Sequence, residues 1–312
     1  MFANIKLIDP ITGKRKINWC RTAFILSAVV LPLLNWLVFY IIVNANSFLM
    51  AFQKEVGGEI IFTLSNFEMF FDEFSKSTSL IREAFRNTAI SFLINCMMML
   101  CGFLVSYFLY KKILFHKFYR IVFYMPGLIA GTVVSSFFSQ FVGVDGPVVK
   151  LMMALKEYEY IPDLLHNPQF ANKTVFVNMI VFSFASNMII WSGAFSRIPD
   201  SVVEAGKLDG VNWVQEICYL TVPMVWPTFV LQMILSICAF FGASGNVFLL
   251  TRGDYGTMTL NCWMYLQTLD KNNDINALNY LSAIGLLITI ISISVSITVR
   301  KFTNKAFADV QF

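Results

Sequence analysis

The stretch "EAGKLDGVNWVQEICYLTVP", Glu204 to Pro223, carries six charged or amide side chains in twenty residues, while the sequence on either side of it is suited to hydrocarbon. A carboxylate at Glu204 followed at once by Ala205 and Gly206 has the chemistry of docking. The small pair leaves the helix almost bare on one side, so another surface could approach its backbone closely. A second set is neutral. Ser183, Asn187, Gln232 and Ser236 fall in the middle of apolar runs, where each polar group costs free energy unless it faces protein or water. Gln232 and Ser236 are spaced i, i+4 and so point the same way along a helix. No catalytic set assembles. Gly206-Lys207 imitates the end of a phosphate loop, but Ser201 stands where the earlier glycine belongs and Leu208 replaces the magnesium-binding hydroxyl. With two histidines and no C-x-x-C pair the sequence supports no metal site, and the six cysteines, in or beside apolar runs, read as small packing residues.

The elements that must position these residues follow from composition. The chain is 57% hydrophobic and 13% charged, with a mean hydropathy of +0.66, against roughly a quarter charged in soluble domains. It reads as a membrane protein. A bilayer core of about 30 Å needs ~20 helical residues, and six uncharged windows qualify, at 22–43, 87–110, 121–144, 174–196, 217–251 and 275–299. The fifth is too long for one span, and its crossing is placed at 225–246. Continuous runs of this kind exclude a transmembrane barrel, so the fold class is an all-α membrane protein of six helices. The first window is too long for a signal-peptide core and reads as a retained anchor.

Orientation follows from the basic residues. With the N-terminus inside, the segments 1–21, 111–120, 197–216 and 300–312 hold 14 of the 23 Lys and Arg in 64 positions, against nine in 95 positions outside. That asymmetry predicts both termini, as tails 1–21 and 301–312, and the 197–223 loop in the cytoplasm. It also accounts for the net charge of +4 without nucleic acid. The outer loop 44–86 mixes Phe with acids and is expected to be partly helical. Gly102-x-x-x-Ser106 and Gly127-x-x-x-Gly131 place small residues on one helix face, a signal for close helix packing. No ionisable residue falls within the placed spans, so the coupling group of a secondary carrier is missing and energy is expected to arrive from outside the membrane part.

Within the polar loop the residues spell two short helices. Pro199 suits a first turn, Ser201 and Glu204 have capping-box spacing, and Gly210 after Asp209 is placed to end the helix in the left-handed conformation. Asn212 and Gln215 repeat the start signal, and the second helix is expected to break at Pro223.

These residues carry a resemblance. The pattern E-A-x-x-x-x-G from Glu204 to Gly210, with Pro223 nineteen residues after the glutamate, resembles the "EAA" signature of the permease subunits of ABC importers. Fragments from about residue 62 to 300 narrow it: "FTLSNF", "FRNT", "YMPGLIAGTVV", "GVDGPVVKLM", "IPDSVVEAGKLDG", "LLTRGDYGTMTLNCWMY" and "NYLSAIGLLITIIS" are similar to carbohydrate-uptake permeases of the maltose and glycerol-3-phosphate type. The resemblance implies a type I importer permease fold in the bacterial cytoplasmic membrane. It implies a coupling helix in which Glu204, Ala205, Gly206, Asp209 and Gly210 meet an ATPase, with the Glu204 carboxylate facing a basic residue there. Independently of the resemblance, a substrate path lined by this chain is expected past Ser183, Asn187, Gln232 and Ser236, because they cluster near the estimated midplane, the alternative being that these groups only bond neighbouring helices. The implied partners are a second, similar permease, two ATPase subunits holding ATP and magnesium, and an extracytoplasmic solute-binding protein. The chain would have no cofactor and hydrolyse nothing itself. Three features depart from the pattern. Gly206 replaces the usual second alanine, "TRGDYGT" stands for the glycine-rich turn before the last span, and Glu216, Cys218 and Tyr219 occupy positions that are often basic. A secondary carrier or channel uncoupled from ATP, and a membrane scaffold whose loop only binds a peripheral partner, are the other classes compatible with six spans.

Overall fold

A computed structural model describes residues 19–76, 79–155, 163–240 and 245–306. Most of the two expected terminal tails lies outside these residues. The chain enters through α1 (Trp19–Trp36), continues by a π-helical segment, Leu37–Ile42, into α2 (Val43–Ala51), and turns into a hairpin of β1 (Gln53–Val56) and β2 (Glu59–Phe62). The hairpin is the one sheet among the described residues. Its cause is legible in Gly57-Gly58, both left-handed at φ 64° and 88°, as the tightest hairpin turns require. It closes onto the start of the last helix, where Asn276 bonds both the Glu55 N–H (2.7 Å) and the Glu55 carbonyl (3.0 Å). Helix α3 (Ser65–Ser75) completes the outer segment.

Then follow α4 (Leu80–Tyr110), α5 (His116–Leu128), α6 (Gly131–Val142), α7 (Pro147–Leu155) and α8 (Ala171–Phe195). The window 121–144, expected as a single crossing, is broken within: α5 ends at Leu128, two residues after Pro126, Ile129 is extended, and the chain resumes bent by 103°. A proline without an N–H one turn before the end, followed by a glycine start, gives the backbone no continuous ladder to follow. Five helices are long and apolar enough to cross a membrane, or six if this bent pair is one span. The protein is a multi-pass membrane protein.

The polar loop forms α9 (Asp200–Leu208) and α10 (Trp213–Gln215), which runs without a break through a π-helical segment, Glu216–Thr221, into α11 (Val222–Ala239). The expected break at Pro223 does not occur. The Val222 N–H reaches back five residues to the Ile217 carbonyl, and this wider turn leaves room for the proline ring that an α-helical turn would clash with. Helix α11 ends before residue 241, short of the expected 246. Helices α12 (Gly245–Thr251), α13 (Leu260–Asp270) and α14 (Ile275–Ala306) complete the chain.

The bundle is built around α4 against α8. A Cβ on Gly102 would lie 3.2 Å from the Asn187 Cβ, and one on Gly127 would lie 3.1 Å from the backbone of Ala185, so both glycines are spent on close helix contact. The Ser106 hydroxyl donates to the Met188 carbonyl (3.3 Å) and the buried Trp191 indole to the Met99 carbonyl (3.0 Å). Around Trp191 pack Met99, Tyr107, Phe195, Ile217 and Val225, which form the core nearest the polar loop. A second core joins α4, α13 and α14 through Ile81, Ala84, Leu260, Trp263 and Ile284. The α1–α2 run is exposed throughout its hydrophobic window, as befits a surface meant for lipid or another subunit.

Candidate functional site

Three helices bring the neutral polar residues together. On α8, the Asn187 amide donates to the Ser183 carbonyl (2.8 Å) and to the Asn95 side-chain oxygen of α4 (3.4 Å). Its own oxygen accepts from the Gln232 amide of α11, and the Asn95 amide donates to the Ser236 hydroxyl of the same helix (3.1 Å). Asn187, Gln232 and Ser236 are buried, and the Gln232 Oε1 is left without a partner. Ser183 enters differently, supplying a backbone acceptor to Asn187 and a hydroxyl to the cavity wall.

Beside this network lies a cavity of about 350 Å³. Its polar wall is Ser91, Asn95, Ser183, Ser186, Asn187, Ser236 and Asn246, and its apolar wall includes Phe92, Phe182 and Phe240. None of the lining residues is charged. Such a surface offers donors and acceptors to hydroxyl groups and flat faces to rings. Sequence reasoning missed Asn95, although it carries the same signal as Asn187, an amide at depth in an apolar window. Ser91 and Ser186 gave weaker signals, because a lone hydroxyl inside a helix can bond its own backbone, and Asn246, near a helix start, is ordinary there.

A second amide cluster adjoins the first. Asn246 donates to Asn178 (2.9 Å) and accepts from the Ser135 hydroxyl (3.4 Å). Asn172 donates to Asn87 (3.1 Å), whose amide holds the carbonyls of Gly256 (2.8 Å) and Met258 (2.9 Å). These bonds pin the "TRGDYGT" turn, in which Arg252, Gly253, Tyr255 and Gly256 are all left-handed. Beneath that turn sits Cys262, whose thiol is pushed up to about 11 by burial, with the charge of Asp254 adding to it. That is an inert packing thiol.

At the other end, the 197–223 loop presents its groups unevenly. Glu204, Ala205, Asp209 and Gly210 are exposed, and Gly210 has φ +71°, the left-handed stop that its position predicts. The Ser201–Glu204 capping box is a correction. Pro199 caps α9 without any side-chain bond, Asp200 is the first helical residue, and Ser201 is already inside the turn, so its hydroxyl lacks the extended backbone that a cap requires. The box at Asn212 and Gln215 does form, at 2.9 and 3.0 Å. Gly206 is buried rather than bare, since a Cβ there would lie 2.7 Å from Leu220 Cδ1 and 3.3 Å from Val211 Cγ2. The close approach that its small size permits is made by its own chain. What α9 offers outward is Glu204 and Leu208, the latter 89% exposed, while Tyr219 on the π-helical segment is 76% exposed. A cleft of about 670 Å³ runs between α9 and the π-helical segment, lined by Ala205, Gly206, Asp209, Gly210, Tyr219 and Leu220 among others. Glu216, singled out only as a departure, is buried against Lys111.

Residues 81–307 match the family described as binding-protein-dependent transport system inner membrane component. The chain belongs to this family. It is a permease component of a binding-protein-dependent importer. Among curated relatives, the probable ABC transporter permease protein YesP of Bacillus subtilis is 28% identical over 151 residues, a match spanning about half of either protein (47% of this chain, 48% of that one). The probable ABC transporter permease protein YurN of the same organism is 25% identical over 87% of this chain and 93% of its own. The multiple sugar-binding transport system permease protein MsmF of Streptococcus mutans is 26% identical over 65% of this chain and 69% of its own. Among solved structures, a bacterial ABC transporter involved in the import of the acidic polysaccharide alginate superimposes with a TM-score of 0.70 at 16% identity, covering 91% of this chain and 96% of that one. At that identity the likeness establishes the permease fold.

Proposed function

We propose that this permease provides half of a translocation path for a sugar or oligosaccharide, driven by ATP hydrolysis on separate subunits. The observation that carries the reading is the cavity between α4, α8 and α11. Asn95, Ser183 and Ser236 on its wall are tied together through Asn187 and Asn95, the lining bears no charge, and aromatic rings flank it. A sugar needs hydroxyl partners and a ring face, and it needs no ion. The names of relatives support the same class, since two of them are a multiple sugar-binding and a lactose transport system permease.

The remainder of the reading concerns assembly. A second permease, a distinct homologue, closes the path from the other side, and a solute-binding protein delivers substrate from outside. Two ATPase subunits, carrying ATP and magnesium, receive α9 with Glu204 toward a basic group. The chain itself holds no cofactor. Both termini and the 197–223 loop face the cytoplasm. Purification in mild detergent with mass spectrometry of the co-purifying subunits, followed by reconstitution, tests this. Expected is uptake of a labelled oligosaccharide that requires ATP and the binding protein. Uptake driven by an ion gradient without ATP would replace it with a secondary carrier.

A further inference from the structure

The ion pair between Lys111 and Glu216 joins the loop to a wall of the cavity. Lys111 caps the end of α4, and its ammonium lies 2.6 Å from each carboxylate oxygen of Glu216, the first residue of the π-helical segment. The two side chains are only 23% and 10% exposed. The other ion pairs among the described residues, Lys76–Asp72, Arg86–Glu83 and His166–Asp163, link neighbours three or four apart on one element. Lys111–Glu216 spans 105 positions and ties two separate elements.

The connections on either side give the pair its direction. Helix α9 is seated on the π-helical segment through Gly206 against Leu220, and the Val211 N–H donates to the Gly206 carbonyl (3.1 Å). The π-helical segment continues as unbroken backbone into α11, which carries Gln232 and Ser236. Nothing covalent ties it to α4. Yet α4 carries Asn95, which bonds Asn187 and Ser236, sixteen residues and about 24 Å up the helix from Lys111. A displacement of α9 therefore reaches one wall of the cavity through backbone, and reaches the other through this salt bridge together with the packing of Met99 and Tyr107 on Ile217 and Val225 and the Asn95–Ser236 bond.

We infer that Lys111 and Glu216 form a positioning strut that makes α4 move together with the loop, so that both polar walls of the cavity respond to whatever moves α9. The inference rests on the proposed coupling role of the loop. The ammonium sits against both carboxylate oxygens, a charge-assisted contact that resists separation of the two elements, and its seclusion from water limits screening by salt. The π-helical geometry contributes too. By widening one turn it shifts the residues before Pro223 in phase relative to α11, and Glu216 faces inward toward Lys111 in that arrangement.

The test uses the whole reconstituted importer. A single substitution would strand a buried charge and could cost folding, so the informative variants change both partners: Lys111→Met with Glu216→Leu removes the ions while keeping volume, and Lys111→Glu with Glu216→Lys exchanges them. Transport per ATP hydrolysed is read in assembled complexes, alongside ATPase binding. The uncharged pair is expected to bind the ATPase normally while transport per ATP falls roughly tenfold, and the exchanged pair to recover to within about threefold of the parent. The parent value of transport per ATP in the uncharged pair would overturn the strut, as would equal loss in both variants, including loss through failed assembly of both. A parent complex that shows no binding-protein-stimulated hydrolysis would instead overturn the proposed function on which the strut depends.

Discussion

Asn187 is the residue on which the cavity turns, because its single side chain is bonded to groups on α4, α8 and α11 at once. Replacing Asn187 and Gln232 together by Leu removes both amides and leaves the Asn95 oxygen short of a donor. We expect uptake to fall roughly tenfold or more, since each lost polar contact is worth about 1–1.5 kcal/mol, with normal amounts of assembled complex in the membrane. Unchanged uptake kinetics would take these residues off the path. Gly206 makes a separate prediction. An alanine Cβ would press on Leu220 Cδ1, the mobile end of a side chain, so Gly206→Ala should cost under about 1.5 kcal/mol, whereas Gly206→Val adds two methyls against Val211 and Leu220 and should cost about 1–3 kcal/mol. Thermal unfolding of the purified complex measures the difference. Equal stability of the Ala and Val variants would show that α9 does not rest on Leu220.

At the scale of the element, α9 is a short helix whose ends are made by backbone more than by side chains. The absent Ser201 cap sharpens the test of Glu204. With no capping role to preserve, Glu204→Gln can weaken ATPase binding only through a partner group, and a charge-assisted contact predicts a loss of about 1.5–3 kcal/mol, or roughly ten- to a hundredfold. Gly210→Val should impair the same binding differently, by forcing a β-branched residue to φ +71° and so shifting the turn that leads to the Asn212 cap. Binding measured by titrating the ATPase onto immobilised permease separates the two, because only the glycine variant should also lower thermal stability. Full binding in both variants would mean that α9 is not the docking element.

The whole molecule has a polarity that charge counting assigns and hydrogen bonds cannot. The hairpin, α3 and the "TRGDYGT" turn lie at one end, and α9 with the Lys111–Glu216 pair at the other. The excess of basic residues leads us to expect the latter end in the cytoplasm. Single cysteines introduced as Ser75→Cys and Lys305→Cys in a cysteine-free background should respond oppositely to an impermeant thiol reagent added outside, the first reacting and the second not. Reaction at residue 305 from outside would invert the assignment.

Much of this architecture is legible in one dimension. Six long uncharged windows require helices in lipid, and the amides buried inside them require protein or water as neighbours, so class and candidate residues follow from solvation alone. Gly210 and the Asn212–Gln215 box were legible because they depend on backbone geometry within a few residues. The tertiary structure decided what depends on distant partners. It paired Asn95 with Asn187 and Ser236, turned Gly206 inward against Leu220, and carried the helix through Pro223 by a π turn. It also made Glu216 the partner of a lysine 105 positions away. Local sequence specifies local hydrogen bonding, but whether a polar side chain meets an ion, an amide or water is set by which helices lie side by side, and that is a property of the packed bundle.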